Sequence, residues 1–335
     1  MPNPYLVASF RPVTAPDIFA KSQGLKQIPD DALIRRFHIK NKGKMRAVND
    51  PHPALKTVLK DWNACVTDYY VEALTQAGVS DVAHAYLPGK SIRTNAAMHT
   101  QSPLIQFDFK GFYDSCRFDY FKDHLAHIDP DVARDPDAVS RLLIDKETGG
   151  VTQGLPISGA LAGLTLIPFW VALKTKLPAN IRFTQYSDDL TFSYTGQEPA
   201  DFTVARLTQI VCETLVDVQL DFSLNTKKTR RQSKQYRKVT GIRINHANRL
   251  TPSRADYRFL RHALHVLAQA PSLEAELPRW HFKSREAFVG KISYLRSIDE
   301  TGKIDRLLYT HRHTCAKHNL FATWLAQYQP ANGFI

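Results

Sequence analysis

Two adjacent carboxylates stand in the middle of an apolar segment, RFTQYSDDLTFSY (residues 182–194). Leu190 and Phe192 alternate with polar residues after the acids, and the residues before the acids alternate in the same way, which is the periodicity of β-strands. The segment therefore predicts a β-hairpin with Asp188 and Asp189 at its turn. An exposed turn tolerates charge. The same turn could also hold a divalent metal ion, and Mg²⁺ usually takes carboxylates from more than one place.

A third acid occurs upstream in a similar setting, in the segment LIQFDFKGFYD (residues 104–114). Its apolar run ends at Asp108, which is typical of a buried strand that leads into a turn or helix. A carboxylate is costly to bury unless it is paired or bound to a cation. Asp108, Asp188 and Asp189 together could hold two Mg²⁺ ions, one activating an attacking hydroxyl and the other stabilising a leaving pyrophosphate. That is the chemistry of nucleotidyl transfer.

The distribution of charge favours a polyanionic partner. The chain of 335 residues has a net charge of +12. From Lys227 onwards it carries 21 Lys and Arg against 7 Asp and Glu, whereas the first 226 residues are nearly neutral. A basic C-terminal part joined to a neutral body favours a nucleic acid as partner, although a solvated basic surface would have the same composition.

Several features favour a reduced, cytoplasmic setting without a membrane partner. The N-terminal residues lack the basic-then-apolar pattern of a signal peptide. Four scattered cysteines without a CxxC spacing argue against a disulfide framework. The longest uncharged run, residues 148–173, contains prolines and polar residues. It therefore predicts a buried helix rather than a membrane span.

Four motifs stand in the order found in reverse transcriptases, and the chain resembles that family over residues 46–257. In chain order they are the first catalytic block FDFKGFY (Phe107–Tyr113), the segment QGLPISGALA (Gln153–Ala162), the YxDD box (Tyr186–Asp189) and the LNxxKT block (Leu224–Thr229). The second of these is similar to the family segment Q-G-x-P-x-S-P-x-L-x. The sequence departs from the family pattern at Ile157, where a small polar residue is common, and at Gly159, where proline is common.

Two further boxes resemble retron reverse transcriptases in particular, NAxxH at Asn95–His99 and VTG at Val239–Gly241. This resemblance implies an RNA-directed DNA polymerase that copies part of a cognate structured non-coding RNA into branched multicopy single-stranded DNA (msDNA), primed from a guanosine 2′-hydroxyl. It also implies deoxynucleoside triphosphates as substrates, the RNA and its cDNA as partners, and a separate effector protein in anti-phage defence. The alternatives are another bacterial reverse transcriptase, of the group II intron-like or abortive-infection type, and a noncatalytic RNA-binding scaffold.

The resemblance implies roles for the acids and their neighbours. Asp108, Asp188 and Asp189 would be catalytic and would bind the two Mg²⁺ ions, with the carbonyl of Phe109 as a further ligand. Lys228 would assist the departure of pyrophosphate, as a proton donor, although the adjacent lysine leaves the register open.

Four residues would bind the incoming nucleotide. Arg46 would clamp the triphosphate, because a guanidinium can hold phosphate oxygens in a bidentate way. Tyr113 would lie under the sugar and exclude a 2′-hydroxyl by its bulk, unless Phe112 takes that role. Gln153 and Gly154 would contact nucleotide or template, since a glycine lets the backbone approach a ligand closely.

The remaining candidates would bind RNA. Asn95 and His99 lie four residues apart and would share a helical face, which contacts template RNA or locks a loop. The basic run after the LNxxKT block suits a phosphate backbone. The full RNA-binding set is Asn95, His99, Lys227, Arg230, Arg231, Lys234, Arg237, Lys238, Thr240, Arg254 and Arg258.

A His/Cys group lies near the C-terminus. His311, Cys315 and His318 fall on one face of a predicted helix. Their side chains are good zinc ligands, but no fourth ligand is evident, and a basic helix that faces RNA is the favoured interpretation.

The predicted architecture is α+β, that of a right-hand polymerase. Residues 1–245 would form fingers and palm, with a small antiparallel sheet plus helices, and residues 246–335 would form a helical basic thumb. Within the thumb we predict helices over Ser253–Gln269, Arg285–Ile298 and Ile304–Gln327.

Overall fold

Internal contacts divide the chain into two units. Unit 1 comprises Met1–Ser91 and Ser102–Arg231, and unit 2 comprises Ile92–Gln101 and Gln232–Ile335. The computed structural model describes residues 5–7, 23–41, 44–101, 103–233 and 237–327. The division into fingers and palm before residue 246 and a thumb after it stays a prediction.

Helices dominate both units. They are α1 (Asp30–Leu33), α2 (Pro53–Gln76), α3 (Ile92–Ala97), α4 (Phe118–Ile128), α5 (Pro136–Leu143), α6 (Ser158–Lys176), α7 (Val204–Asp217), α8 (Arg254–Gln269), α9 (Leu273–Glu276), α10 (Arg285–Ser297), α11 (Lys303–Thr310), α12 (Arg312–Lys317) and α13 (Ala322–Gln327). Short 3₁₀ turns occupy Gly24–Gln27, Pro130–Ala133 and Leu277–Trp280.

Unit 1 contains an antiparallel hairpin and a five-stranded sheet. The strands are β1 (Ile34–Asn41) and β2 (Lys44–Pro51) in the hairpin, and β3 (Leu104–Lys110), β4 (Ile181–Tyr186), β5 (Asp189–Tyr194), β6 (Ser223–Leu224) and β7 (Arg230–Gln232) in the sheet. The order is β4-β5-β3-β6, and β7 also pairs with β3. Phe107 of β3 and Phe192 of β5 meet edge to face on the side of the sheet that joins the hydrophobic core.

Helix α6 forms the centre of unit 1. Its apolar side chains are buried all round, and it packs against α2, α4 and α7. Among the described residues it is also the one helix with the length and hydropathy of a membrane span, yet 72% of that window is buried inside the protein. The uncharged run therefore forms a buried core helix, which the sequence predicts.

Unit 2 combines helices α3 and α8–α13 with a small sheet. Its strands are β8 (Arg237–Val239), β9 (Ile242–Ile244) and β10 (Leu250–Thr251), in the antiparallel order β10-β9-β8. Phe288 lies at the centre of its separate core. The rings of Phe259, Trp280 and Phe282 pack around Phe288, with Trp280 stacked on it at 5.4 Å between centroids.

Two of the three predicted thumb helices are present, and the third prediction is wrong. Ser253 caps α8 by accepting a hydrogen bond from the backbone N–H of Asp256. The predicted helix Ile304–Gln327 is instead three short helices, α11 to α13. Asn319 and Phe321 have φ values of 50° and 54°, and this left-handed backbone cannot continue an α-helix.

Candidate active site

Strand pairing brings the predicted acids together. In the register between β3 and β5, Asp108 lies directly opposite Asp189. The backbone N–H of Phe109 donates to the carbonyl of Asp188 at 2.9 Å, so the turn of the β4–β5 hairpin lies against the end of β3. Opposed residues on antiparallel strands point to the same face, and like charges in that position are destabilising. A positively charged group beside Asp108 and Asp189 would offset this repulsion.

Burial and mutual repulsion shift the pKa values of the hairpin acids. Burial is the main reason that the pKa of Asp188 is raised, and the charge of Asp108 raises it further. Burial also raises the pKa of Asp189 to about 6, with added contributions from Asp188 and Asp108. A raised pKa favours the protonated carboxyl group. A cation bound beside these acids would have the opposite effect and would favour the ionised carboxylates.

Asp108 has two side-chain partners from the LNxxKT block. Lys228 Nζ donates to Asp108 Oδ2 at 2.6 Å, and Asn225 Nδ2 donates to Asp108 Oδ1 at 3.1 Å. The backbone N–H of Asn225 also donates to the Asp108 carbonyl at 2.7 Å. The hydrogen bond to Asp108 is the main reason that the pKa of Lys228 is raised. The structure thus brings Lys228, and not its neighbour Lys227, into contact with Asp108.

A pocket of about 510 Å³ opens beside Asp108 and Asp188. This volume falls in the range of about 300–1,000 Å³ that is usual for small-molecule sites. Tyr113, Gln153 and Gly154 line the pocket together with these acids. Three of the four predicted nucleotide-binding residues therefore lie around one cavity with three of the four predicted metal ligands, Asp108, Phe109 and Asp188.

Asp189 lines a different cavity. A space of about 330 Å³ is bordered by Asp108 together with Asp189, Lys227 and Arg230. Across the described ranges of the chain, no three His, Cys, Asp or Glu side chains form a cluster that could hold a metal ion. Asp108 thus borders both cavities, with Asp188 in one and Asp189 in the other.

The donor set around Asp108 nevertheless suits a hard cation. Carboxylate and carbonyl oxygens are the ligands that Mg²⁺ prefers, and a bound ion would share Asp108 with the ammonium group of Lys228. Phe109 can contribute only through its backbone, because its ring is buried against Phe112 and two other aromatic rings. Asp108 and Asp188 are the side chains that would hold such an ion in the pocket.

The predicted nucleotide-binding residues have distinct placements. Phe112 is buried in the core of unit 1, so Tyr113 is the aromatic residue of this pair that can serve at the sugar position. Gly154 has a φ of 99°, which favours glycine, and Asn49 Nδ2 donates to the carbonyl of Gln153 at 2.9 Å.

Arg46 lies in β2 opposite Ile39, and its side chain is outside the described part of the structure.

The structure identifies supporting residues that the sequence analysis missed. Gln185 is buried at the end of β4, where its Oε1 accepts from Trp170 Nε1 at 2.7 Å and its Nε2 donates to the Ser187 carbonyl at 2.9 Å. Ser187 has a φ of 56°, so this bond fixes a strained turn next to Asp188. The available signal for Gln185 was a polar residue at a position of β4 where the alternation predicts an apolar one. The signal for Asn225 was the asparagine of the LNxxKT block.

Most of the predicted RNA-binding residues are exposed. The exposed members of the set are Lys227, Arg230, Arg231, Lys238, Arg254 and Arg258. Arg230 Nε also donates to Gln106 at 3.0 Å, and Arg231 forms an ion pair with Glu198. Lys234 lies outside the described residues.

Arg237, which we predicted to contact RNA, is instead buried inside unit 2. Its side chain is buried in unit 2, where it donates to the Thr100 carbonyl at 2.8 Å and to Asn248 Oδ1 at 2.5 Å. Arg237 precedes Val239 by two residues in β8, and alternate residues of a strand face the same side. The alternation around Val239 was therefore the sequence signal for its burial.

Replacement of Arg237 by methionine is expected to destabilise the protein. The change leaves the Thr100 carbonyl and the Asn248 amide oxygen without this donor, at a cost of about 2–3 kcal/mol in the free energy of unfolding. The exposed Lys238 next to it provides the matched control, and Lys238→Met should change stability by less than about 0.5 kcal/mol. Urea unfolding followed by circular dichroism measures both. Equal stability of the two variants would contradict the structural role.

The two retron-like boxes meet inside unit 2. Thr240 and Gly241 form the turn between β8 and β9, with φ values of 44° and 90°. Thr240 Oγ1 donates to the Ile92 carbonyl at 3.1 Å, and Asn95 Nδ2 donates to Thr240 Oγ1 at 3.5 Å. Asn95 and His99 are fully buried. Their placement fits the alternative that they lock a loop, and not direct contact with RNA.

The C-terminal His/Cys group does not converge on one point. Cys315 is buried and lies in α12, whereas His311 precedes that helix. The ring of His318 is buried and its Nε2 lies 2.7 Å from the Leu267 carbonyl. Cys315 and His318 therefore face the core of unit 2, and the interpretation of a basic helix that faces RNA stays a prediction.

Known proteins were compared with the chain by sequence and by structure. No family model matches it. The reverse transcriptase of retron Mx65 from Myxococcus xanthus is 28% identical over 275 residues, covering 75% of this chain and 59% of the relative. That of retron Mx162, from the same organism, is 28% identical and covers 68% and 50%. That of retron Ec83 from Escherichia coli is 25% identical and covers 64% and 69%. The chain thus spans between a half and three fifths of the first two relatives.

Two solved telomerases share the fold. Apo telomerase from Candida tropicalis matches with a TM-score of 0.51 and 12% identity, over 90% of this chain and 59% of the other. Telomerase from Candida albicans, solved with the TWJ fragment of telomeric RNA, matches with a TM-score of 0.50 and 9% identity, over 88% and 64%. At these identities the likeness is one of fold, and the predicted α+β polymerase fold is confirmed.

The fold and the paired acids at the end of β3 place the chain in the class of polymerase-fold proteins. Within that class its curated homologues are retron reverse transcriptases, over most of the chain. The predicted resemblance to the retron type is confirmed.

Proposed function

We propose that this protein is an RNA-directed DNA polymerase of the retron type. It would copy part of a cognate structured non-coding RNA into msDNA, using deoxynucleoside triphosphates and a guanosine 2′-hydroxyl of the RNA as primer. The observation that carries the proposal is the register that sets Asp108 opposite Asp189, with Asp188 and Lys228 at the same end of β3. The named relatives support the retron type.

The residues of the pocket suit nucleotidyl transfer. Two Mg²⁺ ions, when bound, would activate the attacking hydroxyl and neutralise charge on the triphosphate. Asp108 and Asp188 would hold cations in the pocket, and Asp189 would add negative charge from the adjoining cavity. Lys228 brings its ammonium group to Asp108 at the edge of the pocket and would donate a proton to the departing pyrophosphate.

Tyr113 and Gly154 would position the nucleotide. Tyr113 lines the pocket that Asp108 and Asp188 border, so its ring could lie against the sugar and exclude a 2′-hydroxyl by bulk. The positive φ of Gly154 favours glycine, and a Cβ there would lie 3.3 Å from the Asn49 carbonyl. Without that side chain, the backbone beside Gln153 could lie against a template base or sugar in the pocket.

The partners form part of the same proposal. The exposed basic residues of unit 2 suit a phosphate backbone, which supports a structured RNA and its cDNA as partners. A separate effector protein, a role in anti-phage defence and a cytoplasmic location follow from the retron type and remain proposals of the same kind.

Nucleic acid that copurifies with the protein from native cells tests the proposal. We expect a short cDNA joined through a 2′–5′ bond to RNA, detected by sequencing before and after treatment with a debranching enzyme. A cDNA that extends only from an ordinary 3′ end would show another type of reverse transcriptase.

The rival from another class is a noncatalytic RNA-binding scaffold. It predicts bound RNA without any cDNA, and it predicts that Asp188→Asn retains the full biological activity. The polymerase predicts that this variant still binds RNA and yields no cDNA.

A further inference from the structure

Tyr86 adopts a backbone conformation that tyrosine rarely takes. Its φ is 60°, in the left-handed region that costs free energy for a bulky residue. It lies in the loop between α2 and α3, and the sequence analysis gave it no role. A strained residue persists only where its surroundings hold it in place, so its contacts show what the conformation achieves.

The ring of Tyr86 lies on Gly159, at the start of α6. A Cβ at residue 159 would come within 2.3 Å of Tyr86 Cγ and within 2.6 Å of both Cδ atoms. Only glycine therefore leaves room for the ring. Proline is common at the position of Gly159 in reverse transcriptases. A proline has a Cβ, which would meet the Tyr86 ring, so the glycine and the placement of Tyr86 depend on each other.

The hydroxyl of Tyr86 connects two parts of the pocket. Tyr113 Oη donates to Tyr86 Oη at 2.7 Å, and Tyr86 Oη lies 3.3 Å from Ser187 Oγ. Ser187 directly precedes Asp188 in the β4–β5 turn. Tyr86 is 52% exposed and borders the same pocket.

We propose that Tyr86 is a positioning residue that fixes Tyr113 and thereby sets the discrimination between deoxyribonucleoside and ribonucleoside triphosphates. This inference rests on the proposed polymerase function. A phenol ring excludes a 2′-hydroxyl only if it is held where that oxygen would lie. The bond from Tyr113 to Tyr86 ties the ring edge to the hairpin turn that carries Asp188, and Gly159 allows this bond to form.

Removal of the Tyr86 hydroxyl alone tests the assignment. Tyr86→Phe keeps the ring and should lower the ratio of kcat/KM for dGTP to kcat/KM for GTP, opposite one template base, by roughly 2- to 12-fold, the effect of one hydrogen bond. The change should come from faster use of GTP, because a Tyr113 ring that is no longer held in place excludes the 2′-hydroxyl less well.

Two comparisons separate a positioning role from a general structural effect. Tyr194→Phe is the matched control, since the Tyr194 hydroxyl donates to Glu198 outside the pocket, and it should leave the ratio unchanged. Tyr113→Phe removes the other end of the bond, so the double variant with Tyr86→Phe should be no less selective than the single variants.

Gly159→Ala provides an independent test. Alanine favours a helix more than glycine does, so a loss of selectivity in Gly159→Ala would report displacement of the ring. The same change in a Tyr86→Ala background should then have no further effect. An effect of equal size in both backgrounds would overturn the role of the Tyr86 ring.

The outcomes also distinguish this inference from the proposed function. If the parent protein extends no primer with dGTP, the polymerase function fails, and the inference fails with it. If the parent protein is active and folded Tyr86→Phe protein has an unchanged ratio, the inference alone is overturned.

Discussion

Asp108→Asn is expected to reduce DNA synthesis by on the order of 10³-fold or more, because the metal-dependent stabilisation of transferring phosphate oxygens contributes several kcal/mol. Asparagine has the size of aspartate and keeps one oxygen, but it lacks the charge that a divalent cation requires. Asp108 also borders both cavities at the end of β3, so its loss affects both parts of the site. Primer extension on an RNA template with deoxynucleoside triphosphates measures the effect.

The same variant should remain folded. Asp108 is opposed by Asp189 across the strand pair, and removal of one of two like charges relieves repulsion. Lys228 loses its partner, but 60% of its side chain is exposed, so water can replace the lost ion pair at little cost. We therefore expect a urea midpoint close to that of the parent protein, which excludes unfolding as the cause of inactivity.

Asp217→Asn is the matched control for this prediction. Asp217 also forms an ion pair with a lysine, Lys176, in unit 1, and it does not line the pocket. This variant should extend primers at the parental rate. If Asp108→Asn keeps parental activity while its fold is intact, the acids at the end of β3 do not carry the chemistry, and the noncatalytic scaffold becomes the better explanation.

The elements that carry these acids could be predicted from sequence because their signals are local. Alternation of apolar and polar residues around Asp188 and Asp189 predicted the hairpin, and the structure has strands on both sides of the turn. The apolar run ending at Asp108 predicted a buried strand, and β3 is buried along most of its length. Each pattern depends on a few neighbouring residues, which is the range over which sequence periodicity is informative.

The contacts that support the site could not be predicted in this way. Tyr86 contacts Tyr113 and Gly159 only when the loop before α3, the turn after β3 and the start of α6 pack together. The periodicity of a single segment cannot predict contacts between three separate segments. Arg237 shows the opposite error, because its positive charge was given more weight than the strand pattern that places it inside.

Gln185→Leu is expected to weaken both the fold and the activity. Leucine has a similar size but cannot accept from Trp170 Nε1 or donate to the Ser187 carbonyl. The buried Trp170 N–H would lose its acceptor, at about 1–3 kcal/mol. The half-buried Ser187 carbonyl would lose a donor that water can partly replace, so the free energy of unfolding should fall by about 2–4 kcal/mol in all. The Ser187 turn would lose its support beside Asp188, and kcat should fall about 10- to 100-fold, as it does when a residue that orients a metal ligand is removed.

Two variants show whether these effects come from the hydrogen bonds of Gln185. Gln209→Leu makes the same change on the exposed side of α7 and should leave activity and stability nearly unchanged. Trp170→Phe should cost less in the Gln185→Leu background than in the parent protein, because the indole N–H has already lost its acceptor there. The backbone bonds of Gln185 to Val82 and His84 persist in every variant. If Gln185→Leu matched the parent protein in unfolding and in kcat, these backbone bonds alone would hold the hairpin turn in place.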